Sequence, residues 1–308
     1  NLKIAKMKNK PTLVILAAGI GSRYGGLKQL DTFSEQGDTI LDFSIYDAIQ
    51  AGFGKVIFII RKSIEEDFKN FFNSKLEGKI EVEYVFQEVE DIPERFKNNN
   101  REKPWGTAHA LLMAKDAVKG NFIVINADDF YGREAFIGIA EELKNTDPNS
   151  TNFNMMGYIL KNTISEHGFV SRGECQVNDS GLLTGITERL HIELINGELL
   201  YKNDKGELIN ISEETVVSMN FFGFTPRYFD ISSKLFEAFM EENYKEPKAE
   251  FLIPLVVNDL ITSGKASMKV LKSNAKWFGV TYKEDKDYVH GEVDKLKKSG
   301  VYPVNLWS

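Results

Sequence analysis

The chain has 308 residues, 42% of them hydrophobic and 12% aromatic, enough to bury a sizeable core and to exclude a disordered class. A formal net charge of -7 with no long basic block argues against nucleic-acid or membrane surfaces that work by phosphate attraction. The single cysteine, Cys175, excludes an internal disulfide and a Cys-based zinc cluster, and no apolar run approaches the roughly 18 residues that span a bilayer. The polar, basic start Asn1 to Lys10 lacks a signal-type apolar core, so a cytoplasmic location is expected.

Up to about residue 145, short β-rich runs alternate with helix-patterned ones. Thr12 to Leu16, Lys55 to Ile60, Ile80 to Phe86 and Asn121 to Asn126 read as strands whose β-branched, non-alternating character suits burial on both faces. Helices are expected from Ile40 to a stop at Gly52, over Ile64 to Phe72 and over Thr107 to Ala117. Strand, helix and strand in series imply right-handed crossovers and a mostly parallel sheet, with ligands beyond the carboxyl ends of its strands. The stretch Asp91 to Lys103, rich in Asn and charge, reads as a loop too polar to pack, either a lid or a floppy insertion.

From Asn154 the texture turns to strands and tight turns. Strands are expected over Asn154 to Leu160, Gly168 to Val177 and Leu183 to Glu188, then a small meander over Ile192 to Ile211 with turns at Asn196-Gly197 and Asn203 to Gly206. A strand (Val216 to Thr225), two helices (Tyr228 to Met240, Ile253 to Ser263), a strand (Ser267 to Leu271) and a charged helix (Lys283 to Lys298) complete the pattern, with no internal repeat. The division expected is one domain, 1–308, with two halves, 11–150 and 151–308, set by this change of texture.

The chemistry concentrates after the first strand, in Leu16-Ala17-Ala18-Gly19-Ile20-Gly21-Ser22-Arg23-Tyr24-Gly25-Gly26-Leu27-Lys28. Small residues let backbone N–H groups close around phosphate oxygens, and Arg23 and Lys28 suit a triphosphate and a transferred phosphoryl group. The spacing matches neither a dinucleotide fingerprint nor a Walker loop. The four histidines show no metal-binding spacing, and Cys175 has no neighbour that would activate it.

This segment resembles L-A-A-G-x-G-[ST]-R-x-x-x-x-x-K, the signature of the sugar nucleotidylyltransferases, or NDP-sugar pyrophosphorylases. The resemblance implies an α/β fold, a Rossmann-like, GT-A-like, mostly parallel sheet flanked by helices, with an appended sugar-binding sheet. It implies phosphate contacts from Ala17, Ala18, Gly19, Gly21 and Ser22, catalytic roles for Arg23, Lys28 and Asp128, and a base-side pair in Gln87 and Gly106-Thr107. Asn126-Ala127-Asp128-Asp129 resembles the metal segment, which makes Asp128 the magnesium ligand, with Asp129 as its alternative. Gly168, Glu188 and Asn220 resemble the sugar-side positions. The family's second metal ligand usually lies on a strand near the C-terminus, yet Trp277-Phe278-Gly279-Val280-Thr281 carries no carboxylate, which leaves Thr281, water or Asp285 to substitute.

Each position also has a structural alternative. Arg23 and Lys28 could be solvated, Asp128 and Thr107 could cap helices, Gln87 could simply end a strand, and Glu188 and Asn220 could decorate a sheet edge. The activity implied is magnesium-dependent transfer of a nucleoside monophosphate from an NTP to a sugar 1-phosphate, by a chain that could form a homo-oligomer. A cytidylyltransferase for a non-sugar phosphate such as phosphocholine, and an NTP-binding regulatory subunit, are the rival readings.

Overall fold

The computed structural model describes residues 10–19, 30–97, 101–165, 168–280 and 285–308. Gly21, Ser22, Arg23, Lys28 and Thr281, all singled out from the sequence, lie outside the described residues.

The four early strands form where the β-branched runs place them. β1 (Thr12–Leu16) lies between β2 (Lys55–Ile60) and β4 (Phe122–Asn126), and β2 pairs with β3 (Glu81–Phe86), all in parallel. Their lack of alternation has a direct cause: Leu13 and Ile15 enter one core while Val14 enters another on the opposite face, and Phe58 and Ile57 divide in the same way. Helices α1 (Ile40–Gln50), α2 (Glu65–Leu76) and α3 (Thr107–Met113) lie between these strands in sequence. α3 ends earlier than the expected Ala117, in a turn closed from Val118 N–H to Ala114 O at 3.0 Å.

After β4 come a short strand β5 (Asp129–Phe130), α4 (Arg133–Lys144) and β6 (Asn152–Ile159). β7 (Val170–Val177), β8 (Leu183–Ile195), β9 (Glu198–Lys202) and β10 (Leu208–Asn210) form an antiparallel run. β11 (Val216–Phe224), α5 (Arg227–Asn243), α6 (Ile253–Thr262), β12 (Ser267–Ser273), β13 (Phe278–Gly279) and α7 (Asp285–Lys298) follow. The larger sheet is mixed: a parallel core continues into the antiparallel region through β11, which pairs with β4 near its end and with β7 near its start. No helix among the described residues is long and apolar enough to cross a membrane.

Two expectations change. β8 does not stop at Glu188: it runs to Ile195 because His191 adopts a left-handed backbone (φ 53°), and the register with β9 shifts between Leu190 and Glu193 so that the strand continues past the irregularity. The described parts of the Asp91 to Lys103 stretch are packed. Ile92 and Phe96 join the core, and the side chain of Arg101 is buried. Its guanidinium donates to the carbonyls of Lys103, Pro104, Glu246 and Ala249 at 2.6–3.0 Å and lies 3.8 Å from the Trp105 ring. One charged residue thus ties this stretch to the segment before α6, an outcome that polarity alone does not reveal.

A second anchor holds the C-terminal tail. On α1, Asp42 and Asp47 are buried. Trp307 Nε1 donates to Asp42 Oδ1 (2.8 Å), and Lys75 pairs with Asp42 at 3.2 Å. Tyr302 Oη donates to Asp47 Oδ2 (2.5 Å) and Arg133 Nε to its Oδ1 (3.2 Å). Burial pushes the Asp47 carboxyl up to about 6 against the opposing pull of Tyr302 and Arg133, and pushes Asp42 up as well.

Two outcomes are expected. Arg101→Ala should lower the unfolding free energy by about 2–4 kcal/mol, through lost charge-assisted hydrogen bonds and buried carbonyls left unpaired, as read by urea titration. Because the folded protein binds the Asp47 proton more tightly than the unfolded chain, the stability this group contributes is full below about pH 4 and is lost as pH rises through about 6. Asp42 titrates in the same sense, so the difference between wild type and Asp47→Asn isolates the effect. That difference should change by roughly 2–3 kcal/mol between pH 4 and 7, and a constant difference would contradict the assignment.

Candidate active site

The carboxyl ends of the parallel strands fall side by side. Ala17 N–H donates to Ile59 O (2.8 Å), Ala127 N–H to Leu16 O (3.2 Å) and Gln87 N–H to Ile60 O (3.0 Å). Ala17-Ala18-Gly19, Gln87 and Asp128 therefore emerge from one edge, the position at which parallel α/β sheets bind ligands. Ala17 and Ala18 are buried, and Gly19 is exposed as the chain enters the signature loop.

Gln87 is buried and faces α3. Its Nε2 lies 3.1 Å from Gly106 O and 3.0 Å from His109 Nδ1. Gly106 has φ 103°, and a Cβ there would come within 2.6 Å of Phe251 O, so both conformation and space require glycine. Thr107 is the first residue of α3 and does not cap it; its Oγ1 accepts the Ile253 N–H at 3.1 Å. The proposed base-side pair is thus also a structural joint with α6.

After β4, Asp128 is half-buried and Asp129 buried. Asn126 Nδ2 donates to Asp129 Oδ2 (2.9 Å), and Tyr131 Oη lies 3.2 Å from the same oxygen. Tyr131 Oη also accepts the Asn126 N–H (3.1 Å) and reaches Met219 O (3.0 Å), so its one proton is shared between the Asp129 carboxylate and the Met219 carbonyl. Burial raises the Tyr131 hydroxyl well above its ordinary range and keeps it neutral.

That contact reaches β11 and the positions expected from the sequence to take the second substrate. β11 changes register between Ser218 and Phe222, and Asn220 in this irregularity has φ 58°, a conformation Asn tolerates better than most residues. Glu188 on β8 pairs with Gly173 on β7, and Gly173 pairs with Ser218 on β11, so Glu188 shares a row across three strands with the residue at which the Asn220 irregularity begins. Glu188 is exposed on β8; partial desolvation by its neighbours raises its carboxyl, with Arg172 opposing. Gly168 lies just ahead of β7, whose Val170 pairs with Ile192. Arg189, next to Glu188, is held by Glu174 at 2.6 Å.

Sequence reasoning missed Arg172. Its Nε donates to Thr163 Oγ1 (3.1 Å) and its Nη1 to Ser171 O (2.8 Å), and its guanidinium lies 4.8 Å from the Trp277 ring. Burial lowers its pKa to about 10, with the fields of Asp129 and Glu188 opposing. It is a half-buried cation within the fields of the acidic segment and Glu188, and a lone arginine inside a strand was the only signal for it.

The carboxylates fit a hard cation. β13 pairs with β5 so that Gly279 faces Asp129, and a Cβ on Gly279 would meet Asp129 Oδ1 at 2.8 Å and Asp128 O at 3.2 Å. The bare backbone at Gly279 gives room to the Asp129 carboxylate. Asp285 is buried at the start of α7, whose Lys286 pairs with Asp31 at 3.0 Å. Among the described residues no three His, Cys, Asp or Glu side chains converge. A magnesium ion needs only one or two carboxylates, with phosphate oxygens and water completing its shell.

The fold recurs among solved structures. An inositol-1-phosphate CTP transferase from T. maritima superposes with a TM-score of 0.63 at 12% identity, covering 94% of this chain and 97% of that one. A UDP-glucose pyrophosphorylase complexed with UDP-glucose gives 0.59 at 13%, covering 93% and 99%. A search of curated proteins by sequence finds no match. The family model for nucleotidyl transferases matches residues 12–280, from β1 to the segment facing Asp129. The chain belongs to the nucleotidyl transferase family, and it is a nucleotidyltransferase.

Proposed function

We propose that the protein transfers a nucleoside monophosphate from an NTP to a sugar 1-phosphate and releases pyrophosphate. The observation that carries this reading is the meeting, through Tyr131, of the strand ends that follow the signature loop with the β11 bulge at Asn220 and its row to Glu188. One end of that arrangement suits a nucleotide and the other a polyhydroxylated acceptor. The similarity to structures named for inositol-1-phosphate and UDP-glucose chemistry supports an acceptor of this kind.

In this reading the amides of Ala18, Gly19, Gly21 and Ser22, with Arg23, hold the β- and γ-phosphates, while Ala17, whose N–H is taken by Ile59 O, sets where the loop leaves the sheet. Gln87 and the Gly106-Thr107 turn flank the base, and Lys28 draws the incoming phosphate towards the α-phosphorus. Gly168, Glu188 and Asn220 take the sugar hydroxyls. Asp128, with Asp129 beside it, would hold magnesium, which supplies neutralising charge for the triphosphate. A sugar phosphate is largely dianionic at neutral pH, since its second pKa is about 6, so no general base is needed. An oxygen of the sugar phosphate forms a bond to the α-phosphorus, the bond to the α–β bridging oxygen breaks, and pyrophosphate carries away the electron pair. The residues act by position and charge, with inversion at phosphorus and no covalent enzyme intermediate.

A second reading rests on the similarity to the inositol-1-phosphate CTP transferase: a cytidylyltransferase whose acceptor is a polyol phosphate or another non-sugar phosphate. A pyrophosphate-release screen of the common NTPs against sugar 1-phosphates, polyol phosphates and phosphocholine separates the two. Silence across the panel would favour an NTP-binding regulatory role.

Activity should require a divalent metal, and chelation should abolish it. Asp128→Ala should lower turnover by about 10² to 10³ and weaken Mn²⁺ binding in a direct titration. Near wild-type turnover in Asp128→Ala, with loss in Asp129→Ala, would move the ligand role by one residue.

Arg23 and Lys28 should divide the work. Lys28→Ala should lower turnover and raise the KM for the sugar phosphate while nearly sparing NTP binding. Arg23→Ala should weaken NTP binding as well, and Arg23→Lys should not restore it, because a planar fork engages several phosphate oxygens at once. NTP titration beside steady-state kinetics reads both. A Lys28→Ala variant that loses NTP affinity yet keeps its response to sugar phosphate would reverse the roles.

A further inference from the structure

The hydrogen bonds around Gln87 fix more than its position. Asp91 O can only accept, and it lies 2.7 Å from His109 Nε2, so that nitrogen carries a proton. His109 is fully buried, stacked on Phe236 at 4.9 Å, and burial holds its pKa below the ordinary value. A neutral ring protonated at Nε2 presents a lone pair at Nδ1. The Gln87 atom 3.0 Å from Nδ1 must therefore be the amide nitrogen, and its second N–H points to Gly106 O at 3.1 Å. Both amide protons are committed. The flipped carboxamide would set Oε1 against the Nδ1 lone pair and the Gly106 carbonyl, two repulsions in a buried site.

We infer that His109 is a positioning residue that locks the Gln87 carboxamide with only its oxygen left to read the nucleobase, so that the accepted base must offer an N–H at that edge. The inference rests on the base-side reading of Gln87 under Proposed function. It goes further by naming the chemistry the residue recognises: a ring imino or exocyclic amino donor is accepted, and a lone pair or a methyl group in its place is rejected. A site that demands a hydrogen bond discriminates strongly, because the wrong base covers Oε1 and leaves it unpaired.

The test measures kcat/KM for ATP, CTP, GTP, UTP and dTTP, and for the preferred nucleotide with its base N–H methylated, in the full chain and two variants. Gln87→Leu removes the acceptor and should lower the ratio of the preferred nucleotide over its competitors by about 10-fold or more. His109→Phe keeps ring volume and the stack on Phe236 but frees the carboxamide. It should lower the same ratio, whereas a merely structural role would depress every nucleotide equally and leave the ratio intact. A ratio that falls in Gln87→Leu and holds in a folded His109→Phe overturns the inference while the base-side reading stands. A ratio unchanged in Gln87→Leu overturns that reading and the inference with it. Should His109→Phe fail to fold, ¹⁵N-histidine NMR of the wild-type chain decides: a protonated Nε2 and bare Nδ1 are expected for His109, and a proton on Nδ1 would overturn the lock.

Discussion

At the site, one buried hydroxyl ties the two halves of the molecule, beside the ladder between β4 and β11. Tyr131 Oη accepts the last strand amide of β4, at Asn126, and shares its proton between the Asp129 carboxylate and the Met219 carbonyl in β11. β11 serves two further partners besides β6, β7 through Val217-Ser218 and β4 through Phe222 to Phe224, with the irregularity lying between the two contacts. The irregularity between them costs backbone regularity, which Asn220 absorbs in a left-handed conformation. Tyr131 holds that irregularity against the acidic segment. Tyr158, whose hydroxyl donates to Tyr131 O at 2.8 Å, fixes Tyr131 in turn. The β4–β11 ladder makes the parallel core and the antiparallel extension one sheet, and this junction adds a side-chain tie where the ladder ends, beside the acidic segment.

The same economy of buried polar groups recurs at the margins. Asp42 and Asp47 on α1 are costly groups to desolvate, and each is retained with several donors: Thr39, Lys75 and Trp307 for one, Tyr302 and Arg133 for the other. Hydrophobic contacts alone could slide. The Phe43, Phe130, Phe278 and Tyr302 rings pack into one cluster, with Phe130 and Phe278 stacked at 4.4 Å, and the carboxylates give that cluster a single register. β13, and with it Gly279, is thereby held opposite Asp129.

What the sequence made legible follows from how local each signal is. The parallel strands were readable because burial on both faces demands uninterrupted β-branched runs, and the meander because Asn196-Gly197 is a two-residue turn wherever it occurs between strands. The base-side and acidic segments were located by their resemblance to the family's motifs, and for Asp128 also by its place directly after an apolar strand. Long-range relations were not legible. Nothing near Arg101 announces the carbonyls of Glu246 and Ala249, and nothing near His109 announces Gln87, because each bond closes across a fold that must already exist. The continuation of β8 through His191 was hidden because a left-handed histidine looks, in sequence, like any break between strands.

The carboxylate that the segment around Gly279 lacks is the last case of this kind. Read along the chain, Trp277 to Thr281 has lost an acidic residue that its resemblance calls for. Across β5 and β13 the same fact has a steric cause. The Asp129 carboxylate fills the volume a side chain at position 279 would enter, since even a Cβ would stand 2.8 Å from its oxygen. With Asp129 held by Asn126, and by a Tyr131 hydroxyl that is itself fixed to β4 and β11, the carboxylate has little freedom to withdraw. An acidic residue at 279 would have to enter that same volume, so the position facing Asp129 is closed to a second carboxylate. The consecutive acids Asp128-Asp129 and the bare Gly279 are therefore one arrangement: the carboxylate stands on β5, and the facing strand has given up its side chain to admit it.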